Sequence, residues 1–199
     1  MKSDVRKIEK GTRDLNDILL ESEKVAAYCG LTHKQALHLR LICEELDGML
    51  PELIGDFEGK FWIELEEKLC KVYVSIAIDE ISAERRKELI GIAKNKKNAA
   101  AVGIKGKIRS AVESLFLDES VSDAFAASAM GMGLSTGCYT DIDYTRCWTL
   151  NAYKSSVKSE AKSEAWDELE KSVIATVADD VIVGIKGKQA DIVVVKKFA

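Results

Sequence analysis

Proline is nearly missing from this chain: Pro51 is the only one in 199 residues. No Ser- or Pro-rich stretch stands in for a linker, so a single domain spanning 1–199 is expected. No run of 18 apolar residues occurs, which argues against a transmembrane helix. The opening MKSDVRKIEKG has no apolar segment, so no signal peptide is expected. Neither sign of charge dominates, with 29 Lys and Arg against 33 Asp and Glu. The basic excess of a general nucleic-acid binder is therefore absent. Histidine is scarce as well. His33 and His38 have no acid–hydroxyl pair beside them to build a triad, and they read as solvated or capping groups. There is no CxxC pair, and the five cysteines are an odd number. Cys29, Cys43 and Cys70 lie in apolar contexts, which predicts buried reduced thiols in a cytoplasmic protein rather than a metal site.

Hydrophobic residues make up 47% of the chain, enough for a real core. The stretch His38–Leu53 organises the rest. Leu39, Ile42, Leu46, Met49 and Leu53 recur at three- and four-residue steps, which predicts a helix with one buried face. Glu44 and Glu45 fall on the rim of that face. Gly48 stands one turn after Glu44. A glycine inside a helix costs about 1 kcal/mol against alanine, which predicts close approach of a ligand or another backbone.

Around this helix the periodicity predicts an ordered series of elements. Asp4–Glu9 alternates as a strand. Thr12–Cys29 is an amphipathic helix with Leu15, Ile18, Leu19, Val25 and Ala26 inward, closed by Gly30. Thr32 is an N-cap for the next helix. Phe61–Glu66 and Lys71–Ile78 form a hairpin turning at Glu67–Cys70. Arg85–Ala93 and Lys107–Phe116 are helical. Ser120–Thr140 is rich in small residues. Arg146–Tyr153 is a strand with Trp148 and Leu150. Ser159–Ala178 is a helix with Trp166, Leu169, Val173, Ile174 and Val177 inward. Asp179–Ile185 and Ala190–Val195 form a last hairpin around Lys186–Lys188. Trp62, Trp148 and Trp166 read as packing residues.

This order resembles the GHKL or histidine-kinase-like ATPase fold, and within it the small anti-sigma-factor serine kinases. The likeness covers roughly residues 4–80 and 164–197. It implies an α+β two-layer sandwich, a mixed β-sheet with helices on one face, and an insert at approximately 82–158 in place of the ATP lid. It implies further that Glu44 stands at the general-base glutamate. Gly48 stands at the asparagine that holds magnesium and phosphate, and has no side-chain oxygen to offer. Asp79 stands at the aspartate that reads adenine. The two glycines expected after it are replaced by Ile81 and Ala83. The GxGL run expected before the final helix is missing from KSEAWDELEKS, while GMGLS at Gly131–Ser135 lies too early. Such relatives bind ATP with magnesium, and dimerise.

One more phosphate candidate stands outside the resemblance. Gly103, Gly106 and Lys107 precede a predicted helix, where backbone amides and lysines can cradle an anion. It is not a P-loop, since Ala101 replaces the first glycine and Ile108 the Ser or Thr. The charges are also segregated. Glu44–Glu67 holds nine acids and one lysine, whereas Lys87–Arg109 holds seven bases and one acid, so the two stretches can pair or face a protein partner. The expected function is a divergent, ATPase-like regulatory or protein-interaction domain with eroded nucleotide boxes. The alternative is an active ATP-dependent serine/threonine kinase, with Glu44 as base and Asp79 reading adenine. A third reading is a pocket for an unrelated small ligand in the Ala/Gly-rich insert.

Overall fold

The structure is a computed structural model, and it describes residues 1–9, 15–54, 58–77, 104, 106–108, 111, 134–135, 146–158, 171–186 and 189–199. The strands are β1 (Arg6–Glu9), β2 (Glu58–Glu66), β3 (Leu69–Ala77), β4 (Leu134–Ser135), β5 (Arg146–Thr149), β6 (Asp180–Lys186) and β7 (Gln189–Lys197). The named helices are α1 (Leu15–Tyr28), α2 (His33–Ile54), α3 (Leu150–Lys158) and α4 (Val173–Val177). Ile104, Gly106, Lys107, Ile108 and Ala111 are also helical.

All seven strands join one sheet in the order β1-β2-β3-β7-β6-β5-β4. Every neighbouring pair is antiparallel, so the expected mixed sheet is corrected to an antiparallel one. The two halves of the chain meet at β3 and β7, in register from Leu69↔Lys197 to Ala77↔Gln189. β5 and β4, which fall in the region read as an insert, extend the same sheet beyond β6. The segment ahead of β1 also follows β2, with Ser3 N donating to Ile63 O at 2.8 Å and Leu65 N to Met1 O at 2.8 Å.

Alternation decides the faces. Phe61, Ile63 and Leu65 of β2, Val72 and Val74 of β3, Ile192 and Val194 of β7, Val181 and Val183 of β6, and Trp148 of β5 share one core. The helices pack on this face through Ile18 and Val25 of α1, Leu39, Ile42, Leu46 and Met49 of α2, Leu150 and Tyr153 of α3, and Ile174 of α4. The helical residues Ile104, Ile108 and Ala111 join them. The other face carries a smaller apolar cluster of Tyr73, Cys147, Ile182 and Val193. There Trp62 stacks on Tyr73 with centroids 4.7 Å apart, and Lys2 Nζ sits over the indole.

Caps account for the helix ends. Gly30 adopts a positive φ of 63°. Leu31 N then reaches Ala26 O and Gly30 N reaches Ala27 O, the paired bonds of a Schellman close. Thr32 and Gln35 bond reciprocally at the start of α2, a capping box.

Several expected boundaries move. The first hairpin turns only at Glu67–Lys68, because Leu69 and Cys70 already pair with Glu66 and Leu65. Glu67 takes a φ of 52° there, a left-handed conformation uncommon outside glycine. The predicted strand over Arg146–Tyr153 stops at Thr149, where α3 begins. Thr149 Oγ1 accepts Ala152 N, and Asp180 Oδ1 accepts Asn151 N, so the helix start is capped twice. The predicted helix Ser159–Ala178 does not run through Ser172, which is extended and accepts Ala175 N as a fresh N-cap. Val173 is accordingly turned outward, 40% exposed, while Ile174 is buried. The predicted helix Arg85–Ala93 and the residues Asp79, Gly103 and Trp166 lie outside the described residues.

Candidate functional site

α2 is long because its apolar face recurs without a break and its entry is boxed by Thr32 and Gln35. That periodicity sets Glu44 on the rim, and the structure gives it a partner. Arg40 Nε donates to Glu44 Oε1 at 3.0 Å, one turn earlier on the same helix. The same guanidinium reaches Glu23 of α1. One arginine thus bridges two carboxylates across the α1–α2 hairpin, with the Glu44 side chain 38% exposed. A carboxylate held this way is positioned, but it shares its charge with a cation before any hydroxyl or water arrives.

Gly48 lies on the outward side of α2 and is exposed. A Cβ built there meets nothing within 4 Å, so the expected close approach is not made by any described residue. The position supplies no oxygen donor and does not fit a magnesium ligand. Asp47, one residue earlier, is turned about 100° away and is buried. Among the described residues no group of three or more His, Cys, Asp or Glu is placed to hold a metal ion.

The second candidate divides. Gly106 and Lys107 are described, and both are helical, so they are not in a loop that precedes a helix. Ile104 is already helical, and it buries with Ile108 on the core face. Lys107 Nζ stands 5.8 Å from the Tyr153 ring centroid, a cation–π contact that occupies the lysine. His33 is exposed and His38 partly so, as solvated groups should be.

The three thiols predicted to be reduced are free, and two of them, Cys43 and Cys70, are buried while Cys29 is partly exposed. Burial pushes the Cys70 thiol up to about 12. Burial also raises Cys43, with the neighbouring Cys70 and Glu44 adding to it. Neither is a nucleophile at neutral pH. Cys147, which the thiol reading did not cover, is disulfide-bonded.

Sequence reasoning missed two charged sites. Arg6 of β1 grips Glu21 of α1 through Nε at 3.0 Å and Nη2 at 2.7 Å. Glu21 is only 3% exposed. The signal was present: Glu21 falls between Ile18, Ser22 and Val25 on the inward arc of α1. An acid at such a position calls for a cation. Asp180 is the other. It caps α3 from 29 residues away, holding Asn151 N and Val181 N on one oxygen. Burial raises its pKa against the pull of those bonds. No local signal marks that role.

Among the described residues no helix is long and apolar enough to cross a membrane. No protein-family model, no curated protein and no solved structure matches this chain.

Proposed function

We propose that this chain is a regulatory or protein-interaction domain on a histidine-kinase-like ATPase frame, related to the anti-sigma-factor kinases, with weak or no ATP turnover. The observation that carries the reading is on α2. Glu44 commits its carboxylate to Arg40, and Gly48, one turn on, has no side chain to hold a metal. The order strand, two helices, hairpin, with the terminal hairpin returning to β3, supports the frame. The reading includes a protein partner and a cytoplasmic setting. Free Cys29, Cys43 and Cys70 agree with that setting, and the Cys147 disulfide pulls the other way. Hydrolysis of Mg-ATP by the full chain tests it. Turnover no faster than in buffer is expected, and turnover abolished by Glu44→Ala would overturn the reading.

An active serine/threonine kinase is the second reading. Its support is that the Glu44 side chain is partly exposed and that no described residue stands within 4 Å of a Cβ built at Gly48. In that reading Glu44 takes the proton from the acceptor hydroxyl, and Asp79 reads adenine. Label transfer from ATP to a protein substrate, lost in Glu44→Ala, is its expected result. No transfer to any substrate, with no ATP bound, removes it.

A further inference from the structure

We propose that the Cys147 disulfide is a reducible latch on the open edge of the sheet, and that its partner is Cys138. The cysteines of the chain stand at 29, 43, 70, 138 and 147. Cys29, Cys43 and Cys70 are free, and Cys147 is disulfide-bonded. Cys138 is the one cysteine of the chain left to pair with it.

The two strands at this edge are held very differently. β5 pairs with β6 from Arg146↔Ile185 to Thr149↔Ile182. Trp148 anchors β5 on the helix side, fully buried with its ring 6.1 Å from that of Tyr153. Cys147 anchors it on the opposite face, packed with Tyr73, Ile182 and Val193. β4 is the last strand of the sheet. It pairs with β5 at Leu134↔Trp148 and Ser135↔Cys147 alone. A strand this short has little ladder of its own, so a covalent bond between Cys147 and the chain just past Ser135 carries much of the hold on it.

Reduction therefore acts locally. Cys147 is 1% exposed, so the thiolate of a dithiol reductant attacks the Cys138 sulfur, and the Cys147 sulfur leaves and takes a proton. The second thiolate of the reductant attacks the mixed disulfide, Cys138 leaves as the thiol, and the reductant becomes a disulfide. The Cys147 thiol stays in its apolar cluster, which suits a neutral thiol. β5 remains in the sheet and β4 is released. The outer edge of β5 then presents unpaired N–H and C=O groups, to which another strand can be added. The other thiols are spectators, since Cys43 and Cys70 are sealed in the core. The latch works whether or not the chain binds a nucleotide.

Peptide mapping without reductant, then hydrogen–deuterium exchange of the full chain with and without dithiothreitol, tests the proposal. A linked pair of peptides holding Cys138 and Cys147 is expected. Reduction in native buffer is expected to speed exchange by about tenfold or more in peptides covering 134–135 and 146–149, as for a local opening. β2, β3 and β7 are expected to keep their protection, and reoxidation to restore the edge. Cys138→Ser is expected to show the reduced pattern with or without dithiothreitol. A bond to another cysteine, or between two copies, overturns the proposal. So does a bond that dithiothreitol opens only in denaturant, or exchange at 146–149 that reduction leaves unchanged. Exchange that rises through the whole sheet also overturns it, as the mark of a disulfide that holds the fold.

Discussion

Glu21 is the residue placed most against its own chemistry, a carboxylate inside the helix–sheet core. It is tolerable because Arg6 arrives from β1 with two hydrogen bonds on one oxygen. Removing one partner of such a pair leaves the other buried and uncompensated. Arg6→Ala is therefore expected to lower the midpoint of urea denaturation, because it leaves the buried Glu21 carboxylate without its cation. Glu21→Gln, which keeps an acceptor, is expected to cost less. The thiols give a second expectation at this scale. Five cysteines less the two of one disulfide leave three. A thiol reagent should find Cys29 alone in the folded chain, three groups after unfolding, and five after unfolding with reductant. Fast labelling of Cys43 or Cys70 in the folded state would contradict their burial.

Among the elements, the sequence reveals those whose ends are fixed locally. Gly30, Thr32 and Gln35 bracket the α1–α2 turn from within six residues, and the two helices fall where the apolar steps put them. The Glu44–Arg40 pair is equally local, four residues apart on one helix. α3 is different, because its start is set by Asp180 on a strand 29 residues later. The alternation at Arg146–Tyr153 carries no trace of that cap, so it predicts strand where the helix begins. Ser172 shows a signal present but outweighed, since the apolar steps on either side suggested one continuous helix. Asp180 also makes α3 pH-dependent. Its folded pKa is raised, mainly by burial, so the native state holds this proton more tightly than the unfolded chain. Its contribution to stability is present below the ordinary Asp value of 3.8 and is lost as pH rises through the higher folded value. Asp180→Asn keeps the acceptor and is expected to flatten stability across that window. Asp180→Ala is expected to cost about 1–2 kcal/mol, the usual loss of an N-cap. Identical pH profiles for wild type and Asp180→Asn would contradict this.

For the whole molecule, the junction of β3 with β7 matters most, since it ties the first 77 residues to the last 20 along nine paired positions. Two hairpins sharing one sheet and one core should unfold together. Far-UV circular dichroism and tryptophan fluorescence are expected to give superimposable denaturant curves, because Trp62 and Trp148 sit on opposite faces of that sheet. Two separate midpoints would mean that the halves are independent. Helix–hairpin order and β-alternation made the class and the single sheet readable. Strand direction was not, because a hydrophobic pattern is the same for a strand run either way. The nucleotide reading rests on single letters at Glu44, Gly48 and Asp79, and only the first two are described. The most direct test is calorimetric titration of the full chain with Mg-ATP. No binding tighter than millimolar is expected, for the wild type and for Asp79→Ala alike. Micromolar binding that Asp79→Ala abolishes would contradict the claim that this frame has lost its nucleotide.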